Sequence, residues 1–247
     1  MDTKIFGHRG AAGTHPENTM ISFQQAKKVG ADGIELDVQL SSDGVPVVIH
    51  DEKVDRTTDG SGFVKDKKME ELKQLNAVFK FKQFDFCPIP TLQEVLEWAS
   101  QTTLLINIEL KNSVIAYEGL EEKVVELVKL YKVEKQTIFS SFNHYSISKL
   151  HRIAPHIEKA ILYSEGLFEP WNYAHVVGAQ SLHPNKGVAT KAIVKAAGSK
   201  GIQVRPYTVN DERTMKKMFA MNVSGFFTDY PEKALQIREK IESCPLK

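Results

Sequence analysis

Cysteine, long apolar runs and an excess of one charge are all missing from this 247-residue chain, and each absence removes a class of protein. Only two cysteines occur, Cys87 and Cys244, and they lie too far apart for the short spacings of zinc or redox motifs. The simpler reading is a reducing compartment, with Cys87 a small hydrophobe and Cys244 near a frayed chain end. No window approaches the roughly 20 apolar residues that span a bilayer, so no stable membrane insertion is expected. The opening MDTKIFGHRG has no basic segment leading into a long apolar stretch; no signal peptide is read, and a cytoplasmic location is the expectation. The 32 basic and 31 acidic side chains nearly cancel. Nucleic-acid binding rests on a clustered basic surface, so no such partner is expected.

What is present is ordinary for a globular enzyme-sized domain: 42% hydrophobic and 26% charged residues. A chain of this length buries roughly 70–75% of its unfolded surface, enough for a core without staples. Short β-branched runs alternate with amphipathic stretches, the pattern of an α/β fold of the (β/α)8 TIM-type. Strands are predicted at 4–7, 33–40, 46–50, 104–110, 137–142, 159–163, 181–183, 202–208 and 225–228. Helices are predicted at 20–29, 92–99, 117–131, 146–153, 191–197, 211–220 and 231–242. No repeat or low-complexity tract interrupts them, and residues 1–247 read as a single domain.

Two irregularities stand out. Nine strand candidates compete for eight barrel places, and the pair 33–40 and 46–50 is joined only by Ser41-Ser42-Asp43-Gly44-Val45. A parallel crossover needs a dozen or more residues, whereas Asp-Gly is a hairpin signal; the pair is either antiparallel or includes a short addition to a neighbouring strand. The second irregularity is the polar stretch 51–90, with a weak helix near 68–75 and an aromatic run at 79–90. A structureless loop of that length is unusual, so it reads as a small inserted cap over one end of the barrel. The alternation in Val78–Phe86 allows either a strand with an aromatic face or a lipid-facing lip.

The chemistry sits at strand ends. In a strand, residues two apart share a face, so Glu35 and Asp37 project together while Leu36 points away. Paired carboxylates are costly to bury uncompensated, and a divalent cation with hard oxygen ligands, Mg²⁺ or Ca²⁺, relieves them; solvated acids at a strand end are the plainer explanation. In LLINIEL and the Lys111 that follows it, Asn107, Glu109 and Lys111 share one face at a strand's C-terminal end, where barrel enzymes place their chemistry. Glu109 supplies a third carboxylate and Lys111 a point charge for phosphate, unless the two are merely a surface ion pair. His8 and His50 also end strands. Histidine titrates near neutrality, as a general acid or base must, although such histidines are commonly structural. Arg9 offers a bidentate fork for phosphate oxygens, and Gly7 and Gly10 permit a tight turn. Asn18 or Thr19 fits the N-cap of the first helix; a direct site role for Glu17 or Asn18 ranks second, and His15 has only its neighbourhood to recommend it.

HRG at 8–10, PENT at 16–19, ELDVQL at 35–40, VVIHD at 47–51, ELK at 109–111, SF at 141–142, YTVN at 207–210 and FTDYP at 227–231 occur in that order. The series resembles the glycerophosphodiester phosphodiesterases, especially their short cytosolic bacterial type, from about residue 5 to residue 231. The resemblance implies a phospholipase C-like barrel with an insertion after VVIHD. It implies hydrolysis of a small glycerophosphodiester, such as glycerophosphocholine or glycerophosphoethanolamine, to sn-glycerol 3-phosphate and an alcohol. His8 and His50 would be the acid–base pair, Glu35, Asp37 and Glu109 would hold one divalent ion, and Arg9 and Lys111 would hold the phosphate. The implied route runs through attack by the glycerol 2-hydroxyl and a cyclic phosphate that water opens. Tyr207 stands where family members commonly carry Trp, which keeps an aromatic face and adds a hydroxyl. Phe142 and Tyr207 pack either against the glycerol end or into plain core. Trp171 either lines the rim or anchors a loop. The protein is expected as a monomer or homodimer.

Two rivals compete. A lysophospholipase D-like enzyme would need an apolar approach for an acyl chain, for which Val78–Phe86 is the available segment. A non-catalytic phosphate-binding barrel would be favoured by loss of a histidine or metal carboxylate, and all five are present.

Overall fold

The computed structural model describes residues 2–243, so Cys244 lies outside the described residues. Eight parallel strands form a nearly closed barrel: β1 (Lys4–Gly7), β2 (Gly33–Leu40), β4 (Leu105–Leu110), β5 (Thr137–Ser141), β6 (Glu158–Tyr163), β7 (Ser181–Pro184), β8 (Gln203–Val204) and β9 (Gly225–Thr228), with β3 (Pro46–Val48) outside the ring. The first and last strands pair in register, Ile5 opposite Phe226. The seam beside β8 is closed by backbone bonds from Ser224 N to Val204 O (3.0 Å), Phe227 N to Pro206 O (3.0 Å) and Val209 N to Phe227 O (2.8 Å).

β2 shows how the sequence makes both faces. Ile34, Leu36, Val38 and Leu40 belong to the main core between strands and helices, each worth about 1.5–3 kcal/mol on full burial. Their alternates Glu35, Asp37 and Gln39 fall on the other face of the strand and are equally buried.

The ninth strand candidate is β3, which pairs antiparallel with β2 (Val38 opposite Val48, Leu40 opposite Pro46). The turn between them is fixed by Ser41, whose hydroxyl donates to Asp43 Oδ1 at 2.6 Å and accepts from Val45 N at 2.9 Å. β3 ends at Val48, short of the predicted residue 50, and β8 covers only two residues of the predicted 202–208. Beyond Val204 the chain turns its backbone groups toward β7 and β9, as Arg205 N to Leu182 O and Phe227 N to Pro206 O, without a regular ladder.

The helices are α1 (Met20–Val29), α2 (Met69–Lys73), α3 (Leu92–Ala99), α4 (Leu120–Leu130), α5 (His144–Ile153), α6 (Pro170–Val177), α7 (Lys191–Ser199), α8 (Glu212–Met221) and α9 (Pro231–Ser243). α4 begins three residues later than predicted, behind Gly119 in the left-handed region. α6 was not predicted. It opens on Pro170, a suitable first helical residue, but its apolar residues mark no clean face, and only Pro170 and Ala174 are buried. Trp171 lies in this helix, partly buried and packed on the main core. Among the described residues, no helix is long and apolar enough to cross a membrane.

Residues 51–90 pack over β3. Val54, Val64, Met69, Leu72, Ala77 and Ile89 form a separate small core with Val47 and Ile49. The aromatic run is not what this segment buries, and no strand forms at 78–86. Turns place Phe84 against His15 (4.9 Å between centroids) and Phe81 against Phe84, while Phe79 and Phe86 stay exposed. Alternation alone is insufficient without an unpaired sheet edge to join.

Candidate active site

Three strand residues converge inside the C-terminal end of the barrel. Adjacent register sets Asp37 opposite Glu109 and Glu35 opposite Asn107. One carboxylate oxygen from each of Glu35, Asp37 and Glu109 lies within 4.8 Å of the other two. Burial, with repulsion from Asp37 and Glu109, drives the Glu35 carboxyl well above the usual range. Burial and Asp37 likewise push Glu109 up, against Lys111. Asp37 goes the other way: burial opposes its charge, but Arg9, His50 and Lys111 together hold it at about 2. Glu35 Oε1 and Asp37 Oδ1 are buried with no hydrogen-bond partner. Clustered hard oxygens, two of them unpartnered, suit a divalent cation of the Mg²⁺ or Ca²⁺ type.

Each histidine has a carboxylate behind it. His8 follows β1, its N–H bonded to Thr228 O (2.8 Å), and its Nδ1 meets Asp229 Oδ1 at 2.7 Å. Asn210 steadies that aspartate, donating from Nδ2 to Oδ2 (2.5 Å) and accepting from Asp229 N (2.9 Å). His50 Nδ1 meets Asp51 Oδ1 at 2.6 Å, and its Nε2 lies 3.2 Å from Lys111 Nζ. Asp51 is held well below the carboxylate range because hydrogen bonds from Arg56 and His50 outweigh its burial. Gln39 fixes the loop: its Nε2 donates to the carbonyls of Ile49, His50 and Asp51 (3.1, 3.0 and 2.7 Å), and its Oε1 accepts from Tyr117 Oη (2.8 Å). A carboxylate on Nδ1 leaves Nε2 as the reactive nitrogen and supports the imidazolium when it forms.

Arg9 sits between these groups in the left-handed region, at φ 50°. Its N–H donates to Glu35 Oε2 (2.7 Å), and its carbonyl accepts from Ser22 Oγ (2.9 Å) and Asn18 N (3.1 Å). Gly7 and Gly10 permit this turn. A Cβ on Gly7 would lie 2.5 Å from Gly10 O, and one on Gly10, itself at φ +83°, 2.4 Å from Ser22 Oγ. The guanidinium donates to Glu17 Oε1 (2.7 Å) and approaches Asp37 Oδ2 (3.3 Å). Lys111 Nζ lies 3.0 Å from Glu109 Oε1 and 3.9 Å from Asp37 Oδ1.

PENT is therefore more than a helix cap. Thr19 occupies the N-cap of α1, but its hydroxyl donates to Pro16 O (2.6 Å) instead of capping. Asn18 donates to Asp37 Oδ2 (2.9 Å), and Glu17 binds both Arg9 and Arg56. Arg56, in the segment 51–90, also holds Asp51 (2.7 Å), so its Glu17 contact ties that segment to the mouth of the site. His15 turns away, bonding Thr14 Oγ1 (2.9 Å).

A cavity of about 210 Å³ opens over this set, lined by His8, Arg9, Glu35, His50, Asn107, Glu109, Lys111, Phe142, Leu162, His183, Tyr207, Thr208 and Phe227. Every predicted site residue except Asp37 faces it, and Asp37 lies directly behind, hydrogen-bonded to Asn18. Phe142, 39% exposed, and Tyr207 form an edge-on aromatic pair 5.9 Å apart in its wall. Gln39, Asp51, Arg56, Asp229 and Asn210 had no role in the sequence reading. All but Arg56 lie within ELDVQL, VVIHD, YTVN and FTDYP, motifs whose polar members were the available signal.

A barrel with an acid-lined, two-histidine pocket at the C-terminal ends of its strands defines a class of hydrolytic enzymes, and comparison names the family. The Glycerophosphoryl diester phosphodiesterase family matches residues 8–233. A Bacillus altitudinis glycerophosphodiester phosphodiesterase is 47% identical over 97% of this chain and 100% of its own. The Bacillus subtilis protein YqiK is 50% identical over 94% of this chain and 97% of its own. The structure of an Oleispira antarctica phosphodiesterase in complex with the product sn-glycerol-3-phosphate superposes with a TM-score of 0.88 at 32% identity, covering 96% of each chain. The chain belongs to the glycerophosphoryl diester phosphodiesterase family and is, by that membership, a phosphodiesterase on a TIM barrel.

Proposed function

We propose that this protein hydrolyses glycerophosphodiesters, such as glycerophosphocholine or glycerophosphoethanolamine, to sn-glycerol 3-phosphate and an alcohol, with His8 and His50 as the acid–base pair. The observation that carries this is two histidines, each backed by an aspartate, facing one cavity with a three-carboxylate cluster. The Oleispira antarctica relative's product complex supports the glycerol phosphate end of the substrate. In this reading 1–247 is one catalytic domain, and the segment 51–90 is a cap that Arg56 ties to Glu17 and Asp51.

Glu35, Asp37 and Glu109 hold one divalent ion, Mg²⁺ or Ca²⁺, which when bound offsets charge on the phosphoryl oxygens and eases ionisation of a nearby hydroxyl. Arg9 and Lys111 orient the phosphate, both already aligned by carboxylates on either side. One histidine takes the proton of the attacking hydroxyl, and the other gives a proton to the leaving alkoxide. Phe142 and Tyr207 pack on the glycerol carbons. Lysophospholipid cleavage is the second reading, favoured by the exposed Phe79 and Phe86 of the cap.

The deciding experiment is glycerol 3-phosphate release from glycerophosphocholine, after EDTA treatment and after restoring Mg²⁺ or Ca²⁺, with lysophosphatidylcholine in parallel. Activity lost on chelation and regained with one ion is the expected result; release from neither substrate under any condition sinks the assignment. Glu109→Gln is expected to lose the ion and at least about 100-fold in rate together, with an unchanged circular dichroism spectrum. An unaltered rate in that variant removes Glu109 from the site.

A further inference from the structure

His183 lies on β7 at the cavity floor, completely enclosed, and neither ring nitrogen has a hydrogen-bond partner. Among the described residues its ring contact is Phe227, edge-on at 4.9 Å. A buried polar group without a partner is costly and rarely tolerated without a use. A second such group lines the same floor: Asn107, 1% exposed, spends its Nδ2 on Ser140 Oγ (2.9 Å) and leaves Oδ1 unpartnered. The cations that would hold phosphate, Arg9 and Lys111, are committed to Glu17, Glu109 and Asp37. Burial and the charge of Arg205 keep the His183 ring neutral, so whichever tautomer forms, it offers one donor and one acceptor.

Those offers match a hydroxyl better than a phosphate oxygen. A hydroxyl both donates and accepts, so one can pair with the imidazole and a neighbouring one can donate to Asn107 Oδ1; a phosphate oxygen has no proton for Asn107. We infer that His183 is a specificity-determining residue that hydrogen-bonds a glycerol hydroxyl of the substrate, with Asn107 Oδ1 accepting from a hydroxyl beside it. This rests on the glycerophosphodiester reading above and names the residues that distinguish glycerol from a plain alkyl chain.

The test is calorimetric binding of glycerol 3-phosphate and of n-propyl phosphate, which has the same carbon skeleton without hydroxyls, to the wild type with Mg²⁺ present and to His183→Phe and His183→Gln. The wild type is expected to prefer glycerol 3-phosphate. His183→Phe should weaken that ligand roughly 10- to 100-fold and leave n-propyl phosphate within about twofold. His183→Gln, which keeps a donor and an acceptor, should recover part of the preference. Equal loss for both ligands in His183→Phe and His183→Gln, or no loss in either, overturns the inference and makes His183 a packing residue. A wild type that shows the hydroxyl preference through His183 yet releases nothing from glycerophosphocholine overturns the cleavage reading and leaves His183 in place.

Discussion

The two histidines differ in how they are held. His8 Nδ1 meets Asp229, which Asn210 secures from the other side, so its partner arrives from a different strand end. His50 meets its neighbour Asp51, and Arg56 and Gln39 hold that loop. Asp229→Asn would remove the negative charge that supports the His8 imidazolium and disturb its tautomer. A fall in kcat/KM of about 100-fold or more is expected, with the fold and divalent-ion content unchanged; a rate within threefold of wild type separates Asp229 from catalysis. The side chains that gather at the cavity were legible in the sequence, because His, Arg, Lys and paired acids at strand ends stand out by type and period. Their supports were not: Asp229, Asn210 and Gln39 act through contacts that span up to 221 positions or turn on a buried amide, and no local spacing encodes those.

At the level of elements, the exit of β4 is fixed by a buried polar knot. Glu121 on α4 accepts from Asn112 Nδ2 (3.0 Å), Ser146 Oγ (2.5 Å) and Lys149 Nζ (3.0 Å). Asn112 directly follows Lys111, so the knot sets where that lysine leaves the strand. Burial opposes the Glu121 charge, but Ser146 and Lys149 outweigh it and lower its pKa below the ordinary 4.5. A lowered folded-state pKa contributes stability that is complete above 4.5 and disappears as pH falls through the folded value. Glu121→Gln is therefore expected to be about 1–2 kcal/mol less stable at neutral pH, with the gap narrowing as pH falls below 4.5, as read from urea midpoints at neutral and acid pH. A gap that stays constant across that range would show that the charge contributes nothing. The apolar runs that placed β2, β4 and β9 were readable because these strands are buried along most of their length. The short extent of β8 within the predicted 202–208 and the helix α6 were not, since one lacks a regular ladder and the other an apolar face.

The whole molecule is tied at its lower rim by Asp32. Its Oδ2 accepts from Ile5 N and Arg238 Nη1, both at 2.8 Å, so one carboxylate joins the first strand to the last helix. Asp32→Ala is expected to cost about 2 kcal/mol and lower Tm by about 4–8 °C. Turnover should be unchanged, because this face lies opposite the chemistry; a calorimetric scan with a parallel rate assay reads both. The site likewise draws on both ends of the chain, His8 from just after β1 and Asp229 from just after β9. With His8 in its proposed role, hydrolytic competence requires the first and last strands together. A nascent polypeptide whose last strand is still inside the ribosomal tunnel carries His8, His50 and all three acids but lacks Asp229, so an incomplete translation product is a chain with its histidine unsupported and its barrel open. Appearance of phosphodiester turnover during synthesis would thus time the release of the C-terminal strand.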